Sequence, residues 1–213
     1  MVSHFFAYIS KLRWITRWGL KRNSIHENVM EHSWEVATIA HGLALIRNRL
    51  YGGAVDANAV ATAALYHDCS EVITGDLPSP VKYHSPALQS AYKSIEHAAE
   101  QELVALLPEA LRADFAAVML EESLPREHRQ LIKAADTIAA FLKCQAEVDA
   151  GNREFAKAAE QIRERLANFP LPEVQYFMAH FAPAYELTLD ELLVRRDGNS
   201  GIADSERALM AVK

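Results

Sequence analysis

Four ionisable residues stand where the helical periodicity of this sequence predicts buried apolar side chains. His32 shares a predicted helical face with aliphatic residues four, seven and eleven positions later. His67 follows two alanines at similar spacing, Asp68 comes directly after it, and Asp136 is bracketed by apolar residues. A single buried histidine is usually satisfied by a backbone carbonyl, whereas a buried carboxylate needs a cation or several hydrogen-bond donors.

Together these four residues have the composition of a divalent-metal site. Two imidazoles and two carboxylates on three inward-facing stretches supply nitrogen and oxygen ligands and leave positions open for water and substrate. If one helix runs through His67 and Asp68, their side chains leave the helix axis in directions that differ by about 100°. An ion that lies between these two directions is within reach of both side chains. Zinc sites favour cysteine and histidine, while this mixed set also suits manganese, cobalt or iron. We expect a single ion, because His84 and His97 are poorly placed to hold a second.

Glu71 and Arg17 are candidates for the chemistry beside such an ion. Glu71 follows His67 by four residues, so on a continuous helix its carboxylate projects beside the metal without having to bind it. We predict that Glu71 is the general base or orients the attacking water, with Asp68 assisting; the alternative is an exposed glutamate in a final helical turn. The planar guanidinium of Arg17 suits phosphate oxygens, and its alternative is a solvated arginine in a basic segment.

The elements that must position these residues all have helical periodicity. The β-branched alternation of half-buried strands is missing from the sequence, so we predict an all-α fold. A loop is predicted around 75–84, because one glycine and two prolines interrupt the pattern there. The predicted helices lie at about 4–15, 29–50, 56–72, 85–107, 108–123, 127–150, 152–168, 172–181 and 187–194.

Length, charge and cysteine content limit the architecture and the partners. With 213 residues, 50% of them apolar, and no repeat or linker, the chain is predicted to form one domain over 1–193 with a frayed tail over 194–213. A net charge of −6 without a basic patch argues against nucleic acid as a partner. We recognise no signal peptide and no run of about 18 apolar residues, and therefore expect a cytoplasmic protein that does not bind a membrane. Cys69 and Cys144 are expected to be buried thiols.

The order of the candidate ligands, and the segments around them, resemble a known enzyme family. His32, His67–Asp68 and Asp136 are similar to the H…HD…D pattern of the HD-domain metal-dependent phosphohydrolases, which are all-α. The segments SHFFAYISKL, ENVMEHSWEVA, YHDCSEVITGDLPSPVKY and IKAADTIAAFLKC, with the Arg17–Trp18 pair, resemble the bacterial 5′-deoxynucleotidases of the YfbR type. The similarity extends from the N-terminus to about residue 193.

This resemblance implies a single-domain HD helical bundle, a homodimer, that converts deoxyribonucleoside 5′-monophosphates to deoxyribonucleosides and phosphate and selects against ribonucleotides. It implies one divalent ion, Co²⁺ or Mn²⁺, with Zn²⁺, Fe²⁺ or Mg²⁺ as alternatives. Ser79 stands where the family usually has threonine, so the hydroxyl is retained. By position, the resemblance implies that Arg17 binds the phosphate, that Trp18 contacts the sugar and that Asp68 also faces the substrate. The metal ligands that it implies are His32, His67, Asp68 and Asp136. The residues that it implies for the nucleoside pocket are Asp76, Leu77, Pro78 and Ser79.

Two other functions remain open from the sequence. An enzyme of another reaction class in the same superfamily would cleave a triphosphate, a cyclic or a signalling nucleotide, or oxidise a substrate at a two-iron centre. Additional phosphate-binding Lys or Arg residues, or further inward histidines, would favour that function, and neither is evident in the sequence. A non-catalytic binding module with a structural metal is the other alternative. The incomplete ligand set and Glu71 argue against it, because structural metal sites are usually closed.

Overall fold

Eleven α-helices form the described part of the chain, residues 2–193 of this computed structural model, and no β-strand occurs within that range. The all-α, single-domain prediction is confirmed, while the predicted frayed tail lies outside the described residues. Short 3-10 segments occupy Ser10–Trp14, Glu121–Ser123, Arg153–Phe155 and Ala182–Glu186. The helices are α1 Phe5–Ile9, α2 Val29–Leu50, α3 Ala57–Leu65, α4 Glu71–Thr74, α5 Ser79–Lys82, α6 Pro86–Ala105, α7 Glu109–Met119, α8 Arg126–Asp149, α9 Ala156–Ala167, α10 Pro172–His180 and α11 Leu189–Leu193.

Helix α2 begins and ends at residues whose chemistry fixes its bounds. The Asn28 side chain accepts a hydrogen bond from the Glu31 amide (3.0 Å), and the Glu31 carboxylate accepts one from the Asn28 amide (3.3 Å). This capping box satisfies amides that the first turn of a helix leaves free. The helix stops before Gly52, whose φ of +69° is readily adopted only by glycine. The cap therefore fixes the first turns of α2, which contain His32.

Helices α2, α3 and α8 pack around the main hydrophobic core. Leu43, Val60 and Ile138, one from each helix, are completely buried there, and burial of such a side chain contributes about 1.5–3 kcal/mol. Alanines such as Ala40 and Ala135 are also buried in this cluster, and side chains this small allow helices to approach closely. The packing brings the start of α2, the end of α3 and the middle of α8 together.

The predicted continuous helix over 56–72 is wrong at the position of His67. Helix α3 ends at Leu65, and residues 66–70 form tight turns before α4 begins. The amide of Glu71 bonds to the carbonyl of Asp68 (3.1 Å), three residues back rather than the four of an α-helix. One physical reason is local: the Nδ1 atom of His67 lies 2.8 Å from the carbonyl oxygen of Ala64, the acceptor that a continuing α-helix would offer to the Asp68 amide.

Three further features of the described residues bear on the sequence predictions. The predicted loop around 75–84 contains the short helix α5, with Pro78 preceding its first turn, where proline is well tolerated. Cys69 and Cys144 are buried free thiols, as expected. Among the helices of residues 2–193, none combines the length and the apolar content that spanning a membrane requires.

Candidate active site

The four predicted metal ligands lie together at one point of the helical core. His32 comes from α2, Asp136 from α8, and His67 and Asp68 from the turn between α3 and α4. The Nε2 atom of His32 is 3.3 Å from Oδ1 of Asp136 and 3.5 Å from Oδ2 of Asp68. The Nε2 atom of His67 is 3.1 Å from the same oxygen of Asp68. Three separate segments therefore direct two imidazole nitrogens and two carboxylates toward a common position.

The imidazole nitrogens at this point have the hydrogen-bonding state expected of metal ligands. Among the described residues, neither ring nitrogen of His32 nor Nε2 of His67 has a hydrogen-bond partner, although all three are buried. The Nδ1–H of His67 donates to the carbonyl of Ala64, which leaves the lone pair of Nε2 directed at the site. Buried polar atoms without partners are rare. These residues therefore fit a divalent cation.

The charges of the metal ligands perturb one another strongly. Burial alone would lower the pKa of His67, but the carboxylates of Asp68 and Asp136 outweigh it and raise that pKa above its ordinary value. Burial alone would raise the pKa of Asp68, but the neighbouring imidazoles and Arg17 lower it below its ordinary range. The pKa of Asp136 is likewise low, because the imidazoles and Lys133 outweigh its burial. Both carboxylates are therefore ionised at neutral pH.

Arg17 and Trp18 reach the site from the loop before α2. The Nη1 atom of Arg17 lies 3.3 Å from Oδ2 of Asp68, and its Nε donates to Glu27 at 3.0 Å. The indole Nε1 of Trp18 donates to the same Glu27 oxygen at 3.0 Å. The backbone amide of Trp18 donates to the carboxylate of Asp76 at 3.2 Å. Trp18 has a φ of +60°, unusual for a residue other than glycine and common at functional sites. Glu27, which the sequence did not single out, holds both side chains.

The predicted nucleoside-binding residues surround a small cavity next to this loop. The cavity has a volume of 130 Å³. Trp18 and Arg17 form one side, and Asp76, Pro78 and Ser79 form another. Leu77 does not contribute to the lining, so its predicted contact with the nucleoside stays a prediction. The cavity therefore brings the candidate sugar-binding and phosphate-binding residues together.

Glu71 is buried beside the ligands rather than exposed. Only 7% of the residue is accessible, and Oε2 has no hydrogen-bond partner among the described residues. Burial, followed by the negative charges of Asp68 and Asp76, raises the pKa of Glu71 to about 10. The carboxyl group therefore carries a proton at neutral pH in the metal-free protein. The helical spacing that led to Glu71 was wrong, but the turn still brings the residue next to Asp68.

A larger cavity of 440 Å³ is lined in part by three of the candidate metal ligands, His67, Asp68 and Asp136. Its lining includes basic residues that the sequence had not placed near the site. Lys133 donates to Oδ2 of Asp136 at 2.7 Å, and its spacing of three residues from Asp136 on α8 was a signal for this contact. Acidic residues offset the basic ones, so this cavity is not a concentrated anion site. The basic residues are Lys82, Lys93, Arg129 and Lys133, and the acidic ones facing them are Glu96, Glu100, Glu121 and Glu122.

The outer part of this cavity contains a second group with metal-ligand chemistry. His97, Glu100 and Glu122 place three potential ligand atoms within 4.8 Å of one another. His97 already contacts Gln101 at 2.8 Å and Glu122 at 3.4 Å, and Glu122 is exposed to solvent. Unlike His32, these residues leave no buried nitrogen without a partner. The group around His32, His67 and Asp68 is therefore the better candidate metal site.

Comparison with known proteins gives a consistent result along almost the whole chain. The family described as "5′-deoxynucleotidase YfbR-like" matches residues 4–185. A 5′-deoxynucleotidase from Vibrio vulnificus is 49% identical over 190 residues, which cover 89% of this chain and 98% of that protein. A 5′-deoxynucleotidase from Yersinia pestis is 48% identical over 191 residues, covering 90% of this chain and 97% of that protein.

Two solved structures support the fold. An HD-domain phosphohydrolase from Listeria innocua superimposes with a TM-score of 0.75 at 19% identity and covers 98% of this chain and 97% of its own. An HD phosphohydrolase of cyanophage S-2L, solved with dA and one catalytic Zn²⁺ ion, has a TM-score of 0.59 at 24% identity and covers 85% of this chain and 96% of its own. At these identities the two structures establish the helical architecture.

We predict that binding of a divalent ion releases a proton from His67. Because the pKa of His67 is raised in the metal-free protein, the imidazole is protonated below that pKa and must lose its proton before Nε2 can bind a metal. Metal affinity should therefore fall as the pH falls through this pKa. Asp68 and Asp136 contribute no proton at neutral pH, because the pKa values of these two carboxyl groups are already low.

Calorimetric titration of the metal-free protein near pH 6.5, in buffers of different ionisation enthalpy, measures this proton. We expect the Glu71→Gln protein, which has no carboxyl proton to lose at that position, to release up to about one proton per ion from His67, and the wild type to release more because Glu71 is also protonated. His180→Gln, which changes an exposed histidine on α10, is the matched control and should not alter the release. Binding that is independent of both buffer and pH between 5 and 8 would contradict the prediction.

Proposed function

The chain belongs to the YfbR-like 5′-deoxynucleotidase family, and we propose a role for each of its site residues in that reaction. The activity is that of a metal-dependent phosphoric monoester hydrolase acting on a nucleotide. One observation supports the assignment of roles: His32, His67, Asp68 and Asp136 meet at a point that Arg17 also reaches, with its Nη1 3.3 Å from Asp68. A divalent ion and a planar guanidinium side by side can together bind the oxygens of one phosphate group.

The proposed metal ligands are His32, His67, Asp68 and Asp136. When bound, a divalent ion supplies positive charge for the phosphate oxygens and lowers the pKa of the attacking water. We propose Co²⁺ or Mn²⁺, with Zn²⁺, Fe²⁺ or Mg²⁺ as alternatives, because the set mixes nitrogen and oxygen atoms and contains no thiolate. Cys69, although next to Asp68, is buried among apolar residues, and burial raises the pKa of its thiol, so it stays protonated.

The proposed role of Arg17 is to orient the phosphate. Its Nε is held by Glu27, so the guanidinium is fixed in place while Nη1 is directed at the ligand position. Burial alone would lower the pKa of Arg17, but Asp68 and Glu27 outweigh it, so the cation is retained. A buried arginine with a fixed direction binds phosphate oxygens at a smaller entropic cost than a mobile surface side chain.

Trp18 is the proposed contact for the sugar. Its ring is held by Glu27 and by Phe155, whose ring centre lies 5.3 Å away. A ring fixed in this way excludes a 2′-hydroxyl by steric contact. We propose that Asp76, with Leu77, Pro78 and Ser79, completes the nucleoside side of the pocket. Apolar pockets reject an added hydroxyl by only about 100-fold, so we expect selectivity rather than complete exclusion.

Glu71 is proposed as the general base, or as the group that orients the attacking water, with Asp68 assisting. Its raised pKa of about 10 reflects burial next to uncompensated carboxylates. Positive charge at the ligand position offsets those carboxylates and lowers the pKa of Glu71, which prepares it to accept a proton. The proton that leaves the attacking water then resides on the Glu71 carboxylate.

We further propose a homodimer and a cytoplasmic location. An exposed apolar patch, the Trp34 patch, provides a candidate dimer surface, because large exposed apolar patches often mark interfaces. Sedimentation of the purified protein as a single chain would contradict the dimer. The buried free thiols are compatible with a reducing compartment. The Trp34 patch comprises the exposed side chains of Ile25, Trp34 and Tyr185 and the half-buried Met30.

We predict that the metal-stripped protein, reloaded with Co²⁺ or Mn²⁺, releases phosphate faster from deoxyadenosine 5′-monophosphate than from adenosine 5′-monophosphate. Trp18→Ala should bring the two kcat/KM values closer together, by up to about 100-fold. Trp14→Ala, at a position that is 75% exposed, is the matched control and should keep the wild-type preference. Absence of phosphate release with every metal would refute the proposed roles, and equal rates for the two sugars would refute the role of Trp18.

Replacement of Glu71 by glutamine should separate metal binding from turnover. The amide resembles the protonated carboxyl group that the metal-free protein contains, so folding and metal affinity should be retained. The rate of phosphate release should fall by about 100- to 10,000-fold, the usual contribution of general acid–base catalysis. Glu122→Gln changes an exposed carboxylate of the larger cavity and is the control. A Glu71→Gln protein with nearly wild-type turnover would show that another group accepts the proton.

A further inference from the structure

The segment that carries Arg17 and Trp18 is a loop fastened at its base. This Arg17 loop comprises residues 15–28, between the first 3-10 segment and α2. The amide of Arg17 donates to the carbonyl of Glu27, and the amide of Val29 donates to the carbonyl of Ile15, both at 3.0 Å. Between these bonds, residues 18–26 form no helix or strand, so their position depends on contacts with other elements.

A carboxylate of α8 binds the far end of this loop. Glu147 is completely buried, and its Oε2 and Oε1 atoms accept hydrogen bonds from the backbone amides of Ser24 and Ile25, each at 3.0 Å. The side-chain amide of Asn152 donates to Oε2 at 2.8 Å, and Lys143 donates to Oε1. All four partners of Glu147 are therefore donors, two of them from the backbone of the Arg17 loop.

The neighbours of Glu147 bind carbonyl groups of the same loop. Lys143 donates to the carbonyl of Ile25, and Asn152 donates to the carbonyl of Arg22 at 2.7 Å. Burial alone would raise the pKa of Glu147, but the hydrogen bonds from Lys143 and Asn152 and from the loop amides lower it to about 2. An ionised carboxylate with four donors makes short, strong, directional bonds. The three side chains thus fix both the donors and the acceptors of the loop backbone.

Helix α8 also carries Asp136, one of the proposed metal ligands. Glu147 follows Asp136 by eleven residues, which is close to three helical turns, so the two residues lie on the same face of α8 about 16 Å apart along its axis. Lys143 lies on this face as well. One rigid helix therefore positions a metal ligand at one point and the Arg17 loop at another.

We propose that Glu147 is a positioning residue for substrate binding: by fixing the amides of Ser24 and Ile25 to α8, it sets the position of Arg17 and Trp18 relative to the metal ligands. The inference rests on the roles proposed above for Arg17 and Trp18. Glu147 lies at the opposite end of the loop from these two residues and acts through the loop backbone. Trp18 has an unfavourable φ, and order in the residues after it adds to the contacts with Glu27, Asp76 and Phe155 that hold it in place.

Glu147→Gln tests this proposal with little change of shape. The amide replaces an acceptor with a donor in a position surrounded by donors, so at least one bond to the loop is lost. We expect faster hydrogen–deuterium exchange in peptides from residues 18–26, with unchanged exchange in the core of α2. We expect kcat/KM for deoxyadenosine 5′-monophosphate to fall by about 10- to 100-fold, mainly through KM, with a reduced preference over the ribonucleotide and unchanged metal affinity.

The matched control is Asp149→Asn, which removes one negative charge from the same helical turn at an exposed residue whose carboxylate accepts a hydrogen bond from Gln145. It should leave both loop exchange and KM as in the wild type. If Glu147→Gln folds poorly because Lys143 is left as a buried, unpaired cation, the double variant Lys143→Met/Glu147→Gln removes both charges. Comparison of this double variant with Lys143→Met alone separates the bonds of Glu147 from the bond that Lys143 makes to the Ile25 carbonyl.

Three results would overturn the proposal. Loop exchange equal to that of the wild type would show that Glu147 does not order the loop. Faster exchange throughout α2 and α8 would assign Glu147 a general role in stability. Faster loop exchange with an unchanged KM would show that substrate binding does not require loop order. Failure of the wild-type protein to release phosphate would instead refute the proposed function, and the exchange data would still report whether Glu147 orders the loop.

Discussion

The arrangement of this protein depends on one electrostatic problem, the gathering of carboxylates in a buried position. Asp68, Glu71 and Asp136 are brought together with two imidazoles whose site-facing nitrogens have no hydrogen-bond partners among the described residues. Negative charges in such a position repel one another and lose hydration, so they persist only with a compensating cation. Without one, Glu71 keeps a proton and His67 binds one. A divalent ion resolves these conflicts at once, which is why the site is best understood as a metal centre.

The helical scaffold meets the geometric demands of that centre with short-range devices. The capping box of Asn28 and Glu31 fixes where α2 begins, and thereby the turn that carries His32. The end of α3 is set partly by His67, whose ring takes the acceptor that a longer helix would need. Long helices such as α2 and α8 supply rigidity, and the tight turn at 66–70 supplies two adjacent ligands from one short piece of backbone.

The substrate side of the site is built differently, from a loop with little structure of its own. Glu27 holds Arg17 and Trp18 at the near end, and Glu147 on α8 binds the loop amides at the far end. Each carboxylate is matched by several donors, so the loop gains order without a hydrophobic core. In the larger cavity, which His67, Asp68 and Asp136 help to line, the basic and acidic residues balance one another. That balance is consistent with a monophosphate as substrate, since a triphosphate would need a local excess of positive charge.

The sequence by itself determined the helical class and the bounds of α2 to within a residue, and it singled out the four candidate metal ligands, because apolar periodicity and end signals are local properties. It also identified Glu71, although through a helix that ends before His67. Tertiary structure alone decided that Glu71 is buried, that Glu27 holds Arg17 and Trp18, and that Glu147 binds a loop more than a hundred residues earlier in the chain. Each of these contacts joins residues from different elements, and a carboxylate on a helix has no local pattern that distinguishes a solvated side chain from a buried acceptor. Only the packing of α8 against the loop removes water from Glu147 and gives it four donors in exchange.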